Sequence, residues 1–305
     1  MWSWSRIRSA RAELAHDSEF WRRFAKLGAE KGPSWFVEWS PYFFGLSAAA
    51  LVPKARRSVL ANLRRIRGPK GVASDVIDVA RTFTGYAGCL AEGLGAGGRH
   101  GHKRPSALVF GARNMEMALA LKHGVIFVTA HTGGWESAGP VLAKEHGLRM
   151  LMVMNTERDP GAQALHDTAR KQAGLGFVHV GRDPLASLDL LRHLRGGGAI
   201  AMQIDRVPKG VRGRRVRFLG EDGTVPEGPI RMAAASGAPI VPIFCSRTGY
   251  REYAFELHDA IHVARRPTEA EVDEAATKMA DALSSFLKRN PTQWFHFNTS
   301  GPDAR

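Results

Sequence analysis

The chain has 305 residues, a formal net charge of +14 and an apolar share of 44%, enough to fill the core of one large α/β domain or two small ones. Its two cysteines, Cys89 and Cys245, are too few for a disulfide framework, and we expect both to be small buried apolar residues. The sequence has no zinc-type Cys or His spacing, Walker loop or Gly-x-Gly-x-x-Gly after a strand. We therefore expect neither a metal nor a nucleotide cofactor.

Basic residues and tryptophans are concentrated in residues 1–70, which hold 14 Lys and Arg against 5 Asp and Glu, and five of the seven tryptophans. Tryptophan beside arginine suits the headgroup layer of a membrane. We therefore interpret residues 1–70 as a helical segment that associates with an anionic membrane surface, and 71–305 as one continuous α/β domain. The alternative is an amphipathic helix packed on that domain, with solvated basic residues.

An apolar run of about 11 residues, 42–52, lies between Pro41 and Pro53. A membrane-spanning helix needs about 20 residues, so we expect this run to be interfacial, re-entrant or a buried core helix. Residues 1–17 lack a continuous apolar region, and no secretory signal is expected.

The most informative stretch is Val128-Thr-Ala-His-Thr-Gly-Gly-Trp-Glu136. The apolar run 124–130 is rich in β-branched residues and predicts a strand buried on both faces. His131 would emerge at the carboxyl end of this strand, where ligands of open α/β sheets bind, and Glu136 would lie on the first turn of a helix continuing through 137–146. Spacing alone also fits a structural histidine beside a carboxylate that serves the helix dipole.

The rest of the chain alternates between short apolar runs and helical patterns. Strands are predicted at 149–154, 176–180, 199–204 and 240–245, and helices at 161–173, 184–195, 228–236 and 268–288. The predicted fold class is α/β, with a mixed, mainly parallel sheet covered by helices.

A basic stretch at 206–217 contains six Lys and Arg and no acidic residue, and it follows Asp205 at the end of a predicted strand. As a group, these cations offer a site for phosphates of a lipid headgroup, of coenzyme A or of a phosphopantetheine arm, and would attract an acidic acyl carrier protein. For any single arginine, a solvated hairpin or loop is an equal alternative.

Several segments, in order, resemble one family. His131-Thr-Gly-Gly-Trp-Glu136 resembles the His-x4-Asp/Glu signature of the bacterial lipid A biosynthesis (lauroyl/myristoyl) acyltransferases, within the glycerolipid acyltransferase superfamily, and of the related mycobacterial phosphatidylinositol mannoside acyltransferases. Further similar segments are Glu157-Arg-Asp-Pro160, Asp205-Arg206, 216–220, 224–229, 235–242 and 290–294. The resemblance covers roughly residues 35 to 298 and implies the glycerolipid acyltransferase fold.

The resemblance implies an enzyme that moves a fatty acyl group from acyl carrier protein or coenzyme A to a hydroxyl of a lipid or glycolipid, such as a lipid A precursor. His131 would be the general base, and Glu136 would orient it through the other ring nitrogen. Without a Gly-x-Ser-x-Gly elbow, direct transfer in a ternary complex is expected. Backbone amides of Gly133 and Gly134, or a nearby arginine, are the alternatives for holding the oxyanion.

The resemblance also implies a set of substrate-binding residues. These are Glu157, Arg158, Arg170, Gln203, Asp205, Arg206, Arg215 and Gly228. For Glu157, Arg158 and Arg170, an internal ion-pair network is an equal alternative. Gln203 stands where close relatives tend to have an acidic residue, which indicates a lost charge near the base or a different acceptor.

We expect the enzyme at the cytoplasmic face of the bacterial inner membrane, peripheral or shallowly inserted, in lipid A and lipopolysaccharide biosynthesis. Alternative acceptors are a lysophospholipid, an aryl polyene-type lipid or an amine. The basic balance also fits a nucleic-acid-binding protein, but the excess charge lies with tryptophans near an apolar run, and no nucleic-acid module is recognised. We therefore expect no nucleic-acid partner.

Overall fold

The computed structural model describes residue 28 and the ranges 32–94, 104–155, 160–172, 174, 176–180, 186–208 and 210–297. Most of the first 31 residues, with Trp2, Trp4 and Trp21, lie outside the described residues, as do Glu157 and Arg158. The predictions made for those residues therefore stay predictions.

Three helices open the described chain and an α/β region follows. The helices are α1 (Ser34–Leu51), α2 (Pro53–Arg67) and α3 (Val72–Leu94). The elements that follow are β1 (Ser106–Phe110), α4 (Ala112–Ala120), β2 (Val125–Thr129), α5 (Trp135–Glu145), β3 (Met150–Asn155), α6 (Pro160–Gln172), β4 (Gly176–Val180), α7 (Ala186–Arg195), β5 (Ala199–Gln203), β6 (Gly213–Phe218), β7 (Glu221–Pro226), α8 (Gly228–Ser236), β8 (Ile240–Gly249), β9 (Glu252–Leu257), α9 (Glu269–Arg289) and a 3₁₀ turn (Pro291–Gln293).

A seven-stranded sheet with strand order β1-β9-β8-β2-β5-β3-β4 forms the centre of the α/β region. Its neighbouring strands are parallel except for β8 and β9, while β6 and β7 form a separate antiparallel hairpin. The prediction of a mixed, mainly parallel sheet is confirmed.

Strand β2 lies in the middle of this sheet, and all five of its residues are buried, as predicted. Because side chains alternate along a strand, β2 contributes to two cores. Ile126 and Val128 join the core that includes the apolar face of α9, and Phe127 joins the core with Met115 of α4 and Leu142 of α5. Helices thus cover both faces, which leaves the carboxyl ends of the parallel strands as the place for a site.

Helix α1 differs from the predicted apolar run, because Pro41 lies inside the helix instead of before it. The buried face of α1 packs closely on α3: a Cβ at Gly45 would come within 2.6 Å of Thr84 Cα. Packing of this kind offsets the free energy that the helix loses when an internal proline removes one backbone hydrogen bond. Pro53 is the first residue of α2, a position where its missing N–H costs nothing. Among the described residues, no helix is both long and apolar enough to cross a membrane.

The predicted boundary at residue 70 falls in the short link between α2 and α3, and α3 packs against both α1 and α2. The three helices therefore form one group across that boundary. The division into 1–70 and 71–305 stays a prediction.

Candidate active site

His131 lies two residues beyond the end of β2, at the carboxyl edge of the sheet. Its side chain is 33% exposed, which leaves the imidazole accessible to a small reacting group. The backbone carbonyl of His131 accepts a hydrogen bond from the amide of Phe295 at 2.8 Å. The position predicted for His131 is confirmed.

Asp205 lies beside His131 because their strands pair in parallel register. Thr129 of β2 is opposite Gln203 of β5, and each chain continues two residues further to reach His131 and Asp205. The Nδ1 atom of His131 is 2.9 Å from Asp205 Oδ1, and the Asp205 side chain is fully buried. A buried carboxylate at Nδ1 favours the tautomer with the proton on that nitrogen, which leaves Nε2 as the proton acceptor.

The charge of Asp205 is stabilised by its neighbours. Burial pushes the pKa of Asp205 upward, but the charge of His131 and its hydrogen bond outweigh burial, with further help from Arg206 and Trp294, so the pKa lies well below its usual range. Asp205 is therefore a carboxylate near neutral pH, able to stabilise a protonated imidazole.

Glu136 does not occupy the place predicted for it at the second ring nitrogen. It lies on the first turn of α5, as expected, but its Oε1 accepts a hydrogen bond from Arg170 Nη2 at 2.6 Å. The Nδ1 of His131 is taken by Asp205. The prediction that Glu136 hydrogen-bonds to His131 was therefore wrong. The pairing of β2 with β5 places Asp205 at that ring nitrogen instead. A catalytic role for Glu136 stays a prediction.

Arg170 is the centre of a small ion-pair network. Its side chain is only 6% exposed and also donates to Asp167 Oδ1 at 3.1 Å, while Asp167 Oδ2 lies 2.9 Å from His179 Nε2. This geometry favours the internal ion-pair alternative for Arg170 over direct substrate binding.

Three of the six cations in the basic stretch 206–217 form ion pairs with acids that lie outside the stretch. Arg212 and Arg214 bind the buried Glu227, Arg214 also binds Glu269 and Asp273, and Arg217 binds Asp222. Those three arginines therefore stabilise the fold around the β6–β7 hairpin. Phosphate binding by the other cations of the stretch stays a prediction.

The other predicted binding residues of this region are placed differently. Arg206 is half-buried and donates to the carbonyl of Phe295 at 3.1 Å, whereas Arg215 is exposed and binds no carboxylate among the described residues. Gln203 ends β5 beside the site, and Gly228 is the first residue of α8, next to Met202. Substrate binding by these four residues stays a prediction.

The turn after His131 requires both of its glycines. Gly134 has φ +79°, a left-handed conformation, and any Cβ there would meet Tyr253. A Cβ at Gly133 would come within 2.8 Å of Ser246 Cα on β8. The turn therefore packs against the sheet and leads directly into the N-terminus of α5.

Residues 290–297 were assigned no role from the sequence, beyond the resemblance of 290–294 to a segment of the family. In the structure they cross the site: Trp294 Nε1 donates to Asp205 Oδ2 at 3.0 Å, and the backbone of Trp294 forms an antiparallel bridge with Thr132. Gln293 Oε1 accepts from the backbone amide of Arg247 at 3.0 Å. We call residues 290–297 the C-terminal strap.

His296 of this strap is a buried, neutral histidine. Burial, with the charge of Arg206, lowers its pKa from 6.5 to about 4. Between these pH values the unfolded chain binds a proton that the folded chain does not, so the free energy of unfolding should fall by up to about 3 kcal/mol as pH drops from 6.5 to 4. Chemical denaturation of wild type and His296→Phe at several pH values measures this difference.

The matched control for His296 is the exposed His262. His262→Phe should keep the wild-type dependence of stability on pH, whereas His296→Phe should flatten it over the same interval. Equal slopes for wild type and His296→Phe would contradict a buried neutral His296.

Among the described residues, no cluster of three or more His, Cys, Asp or Glu is arranged to hold a metal ion. Cys89 and Cys245 are free thiols in the described chain, and burial raises the pKa of both, so neither is an activated nucleophile.

A family model, that of the bacterial lipid A biosynthesis acyltransferases, matches residues 44–299. The chain belongs to this family. Two similar curated proteins, both named phosphatidylinositol mannoside acyltransferase, come from Mycobacterium tuberculosis strains CDC 1551 / Oshkosh and ATCC 25618 / H37Rv. Each is 23% identical over 188 residues, which cover 61% of this chain and 57% of the relative.

The match to residues 44–299 includes His131, Asp205 and the strap. The candidate site therefore lies within the part of the chain that matches the family model. The predicted resemblance is confirmed. The aligned part spans little more than half of the length of the two curated relatives.

Proposed function

We propose that this member of the acyltransferase family transfers a fatty acyl group from an acyl thioester to a hydroxyl of a lipid or glycolipid, with His131 as general base. The observation that carries the proposal is the contact of His131 with the fully buried Asp205, at 2.9 Å, at the carboxyl edge of the sheet. A neutral imidazole held by a carboxylate is suited to accept a proton near neutral pH.

In the proposed reaction, Nε2 of His131 accepts the proton of the acceptor hydroxyl as its oxygen attacks the thioester carbonyl. The tetrahedral intermediate collapses with cleavage of the C–S bond, and the thiolate leaves with the proton from the imidazolium. Asp205 stabilises the imidazolium between the two steps. The ester bond formed and the thioester bond broken balance without any further reactant.

The developing oxyanion needs donors close to His131. The turn at Gly133 and Gly134 leads into the N-terminus of α5, where the first backbone amides have no partner within the helix and the positive end of the helix dipole favours negative charge. We propose these amides as the oxyanion donors.

The donor and acceptor are proposed by chemical class. The donor is acyl carrier protein or coenzyme A carrying the acyl group, with Arg206 and Arg215 proposed to contact its phosphates or those of the acceptor. The names of the family and of the two curated relatives favour a lipid A precursor or a phosphatidylinositol mannoside as acceptor. The second candidate is a lysophospholipid, an aryl polyene-type lipid or an amine, because Gln203 near His131 stands where close relatives tend to have an acidic residue.

The test is a transfer assay on the full chain with each acceptor and with acyl groups on carrier protein or on coenzyme A. Mass spectrometry should show one acceptor class gaining the mass of one acyl group, and none gaining it with His131→Ala. Lipids from cells lacking the gene should in turn lack that acyl chain. If every acceptor stays unmodified above the His131→Ala background, the proposed activity is wrong.

We also propose that α1 lies on the membrane, at the cytoplasmic face of the inner membrane. Five of the seven large apolar side chains that are exposed on this helix follow one face, whereas Phe44 and Leu51 lie on the other side. The five are Trp35, Trp39, Tyr42, Phe43 and Leu46, which we call the α1 stripe. The exposed cations Lys54 and Arg57 begin the next helix, and a basic flank of this kind is attracted to anionic lipids.

Vesicle binding tests the α1 stripe. The double variant Trp39→Ser, Phe43→Ser removes side chains that are 61% and 68% exposed and should weaken binding to phosphatidylglycerol vesicles by at least about tenfold. Leu108→Ser, at a 66% exposed position on β1, is the matched control and should bind like wild type.

Binding should also weaken as salt rises, because part of the attraction is electrostatic. Equal vesicle binding by the double variant, or stronger binding of wild type to duplex or single-stranded nucleic acid than to vesicles, would overturn the membrane proposal.

A further inference from the structure

The carboxylate of Asp205 contacts three nitrogen donors: the backbone amide and the imidazole of His131, and the indole of Trp294. Oδ1 lies 2.9 Å from Nδ1 of His131 and accepts from the backbone amide of His131 at 3.3 Å. Oδ2 accepts from Trp294 Nε1 at 3.0 Å and lies 3.2 Å from the same imidazole nitrogen. Because the Asp205 side chain is fully buried, water does not replace a lost donor without cost.

Trp294 is itself firmly placed. It is buried, its ring packs edge-on against Phe218 with centroids 5.8 Å apart, and its backbone bridges to Thr132. The next residue, Phe295, donates its amide to the carbonyl of His131 at 2.8 Å. The strap thus contacts both members of the pair, the base through its backbone and the carboxylate through the indole.

An indole N–H donates one hydrogen bond and accepts none. It therefore cannot take the proton that passes through His131, and its direction fixes the plane of the carboxylate. Since Oδ1 is the oxygen nearer to the imidazole and Oδ2 is the one that accepts from the indole, rotation of the carboxylate would lengthen its contacts with both rings.

We propose that Trp294 is a positioning residue of the reaction: its indole N–H locks the Asp205 carboxylate, which in turn fixes the ring plane and tautomer of His131. The inference rests on the proposed function, in which His131 is the base. It assigns to the strap a task that the sheet, which brings His131 and Asp205 side by side, does not perform.

The experiment compares wild type with two changes at this position in the full chain. Trp294→Phe removes the donor and some ring volume. Incorporation of 3-benzothienylalanine at position 294, in which sulfur replaces the indole N–H, removes the donor while keeping the shape. Phe218→Leu is the packing control, because it loosens the Trp294 ring without removing the N–H.

Both changes at position 294 should lower kcat by about 10- to 100-fold with KM little changed, because a misdirected base slows the chemical step more than binding. With one donor fewer, the Asp205 charge is more available to the imidazolium, so the acid limb of the pH–rate profile should move to higher pH. Phe218→Leu should lower the melting temperature but leave the acid limb in place.

A readout independent of turnover keeps this result separate from the proposed function. The exchangeable Nδ1–H proton of His131, assigned by its loss in His131→Ala, should shift in the NMR spectrum of the benzothienylalanine protein. An unchanged Nδ1–H resonance in that protein, or an acid limb that Phe218→Leu moves equally, would overturn the role of Trp294. Absence of transfer in wild type would refute the proposed function, while the resonance would still decide the role of Trp294.

Discussion

His131→Ala should lower the kcat of acyl transfer by about 10³- to 10⁴-fold while the protein stays folded. The imidazole is the proton acceptor of the proposed reaction, and its side chain is 33% exposed at the edge of the sheet, so little packing is lost with it. The buried Asp205 loses one donor, so the melting temperature should fall without unfolding the protein. Steady-state kinetics with a saturating acyl donor, together with the melting temperature of the same sample, measures both parts of the prediction.

The matched control for His131 is the exposed His262, which lies far along the chain after β9. His262→Ala should keep wild-type kcat and stability. Full activity in a folded His131→Ala protein would end the proposal that His131 is the base, and a large loss of stability in that variant would show instead that the side chain holds the site together.

The position of His131 could be predicted from the sequence because the signals that place it are local. A continuous β-branched run predicts a doubly buried strand, and the glycine pair after His131 predicts a turn at its end. The structure buries all five residues of β2 and places His131 just beyond them. Helices α6, α8 and α9 were likewise predicted to within a few residues, since each carries its own periodic pattern and end signals.

The contact of His131 with Asp205 could not be predicted in the same way. Asp205 is 74 residues from His131, and the two meet only because β5 pairs with β2 in one register. No pattern within either segment encodes that register. Glu136 was favoured because it lies near His131 in the chain, and its actual contact with Arg170 of α6 again depends on how a distant helix packs.

Charge patterns were misleading for the same reason. The stretch 206–217 lacks acids in its own sequence, yet three of its five arginines bind Glu227 or acids of the hairpin and of α9 in the fold. The edge strand β1 was missed because its residues alternate between exposed and half-buried positions, which gives only a weak apolar signal. Sequence reasoning therefore located His131 and five of the seven strands of the sheet, whereas the ion pairs and hydrogen bonds around His131 could be read only from the fold.

Asp205→Asn should be nearly as damaging as loss of the base, with a fall in kcat of roughly 10³- to 10⁴-fold. An amide in place of the carboxylate no longer selects the tautomer with the proton on Nδ1, and it brings no charge to stabilise the imidazolium. The acid limb of the pH–rate profile should therefore move to lower pH, the direction opposite to that expected when the indole N–H of Trp294 is removed.

Glu136→Gln is the informative counterpart, because it tests the partner that closeness in sequence would choose. It removes the charge that binds Arg170, so it should lower the rate by disturbing that neighbouring network and leave the acid limb at its wild-type pH. The pH–rate profiles of the two variants thus decide which carboxylate contacts His131 during catalysis. If Glu136→Gln moved the acid limb and Asp205→Asn did not, Glu136 would be that carboxylate, and the contact of His131 with Asp205 would belong only to the enzyme without substrate. We expect the reverse, because only Asp205 combines full burial with a 2.9 Å contact to the imidazole, and a charge in that position acts on the base with the least screening by water.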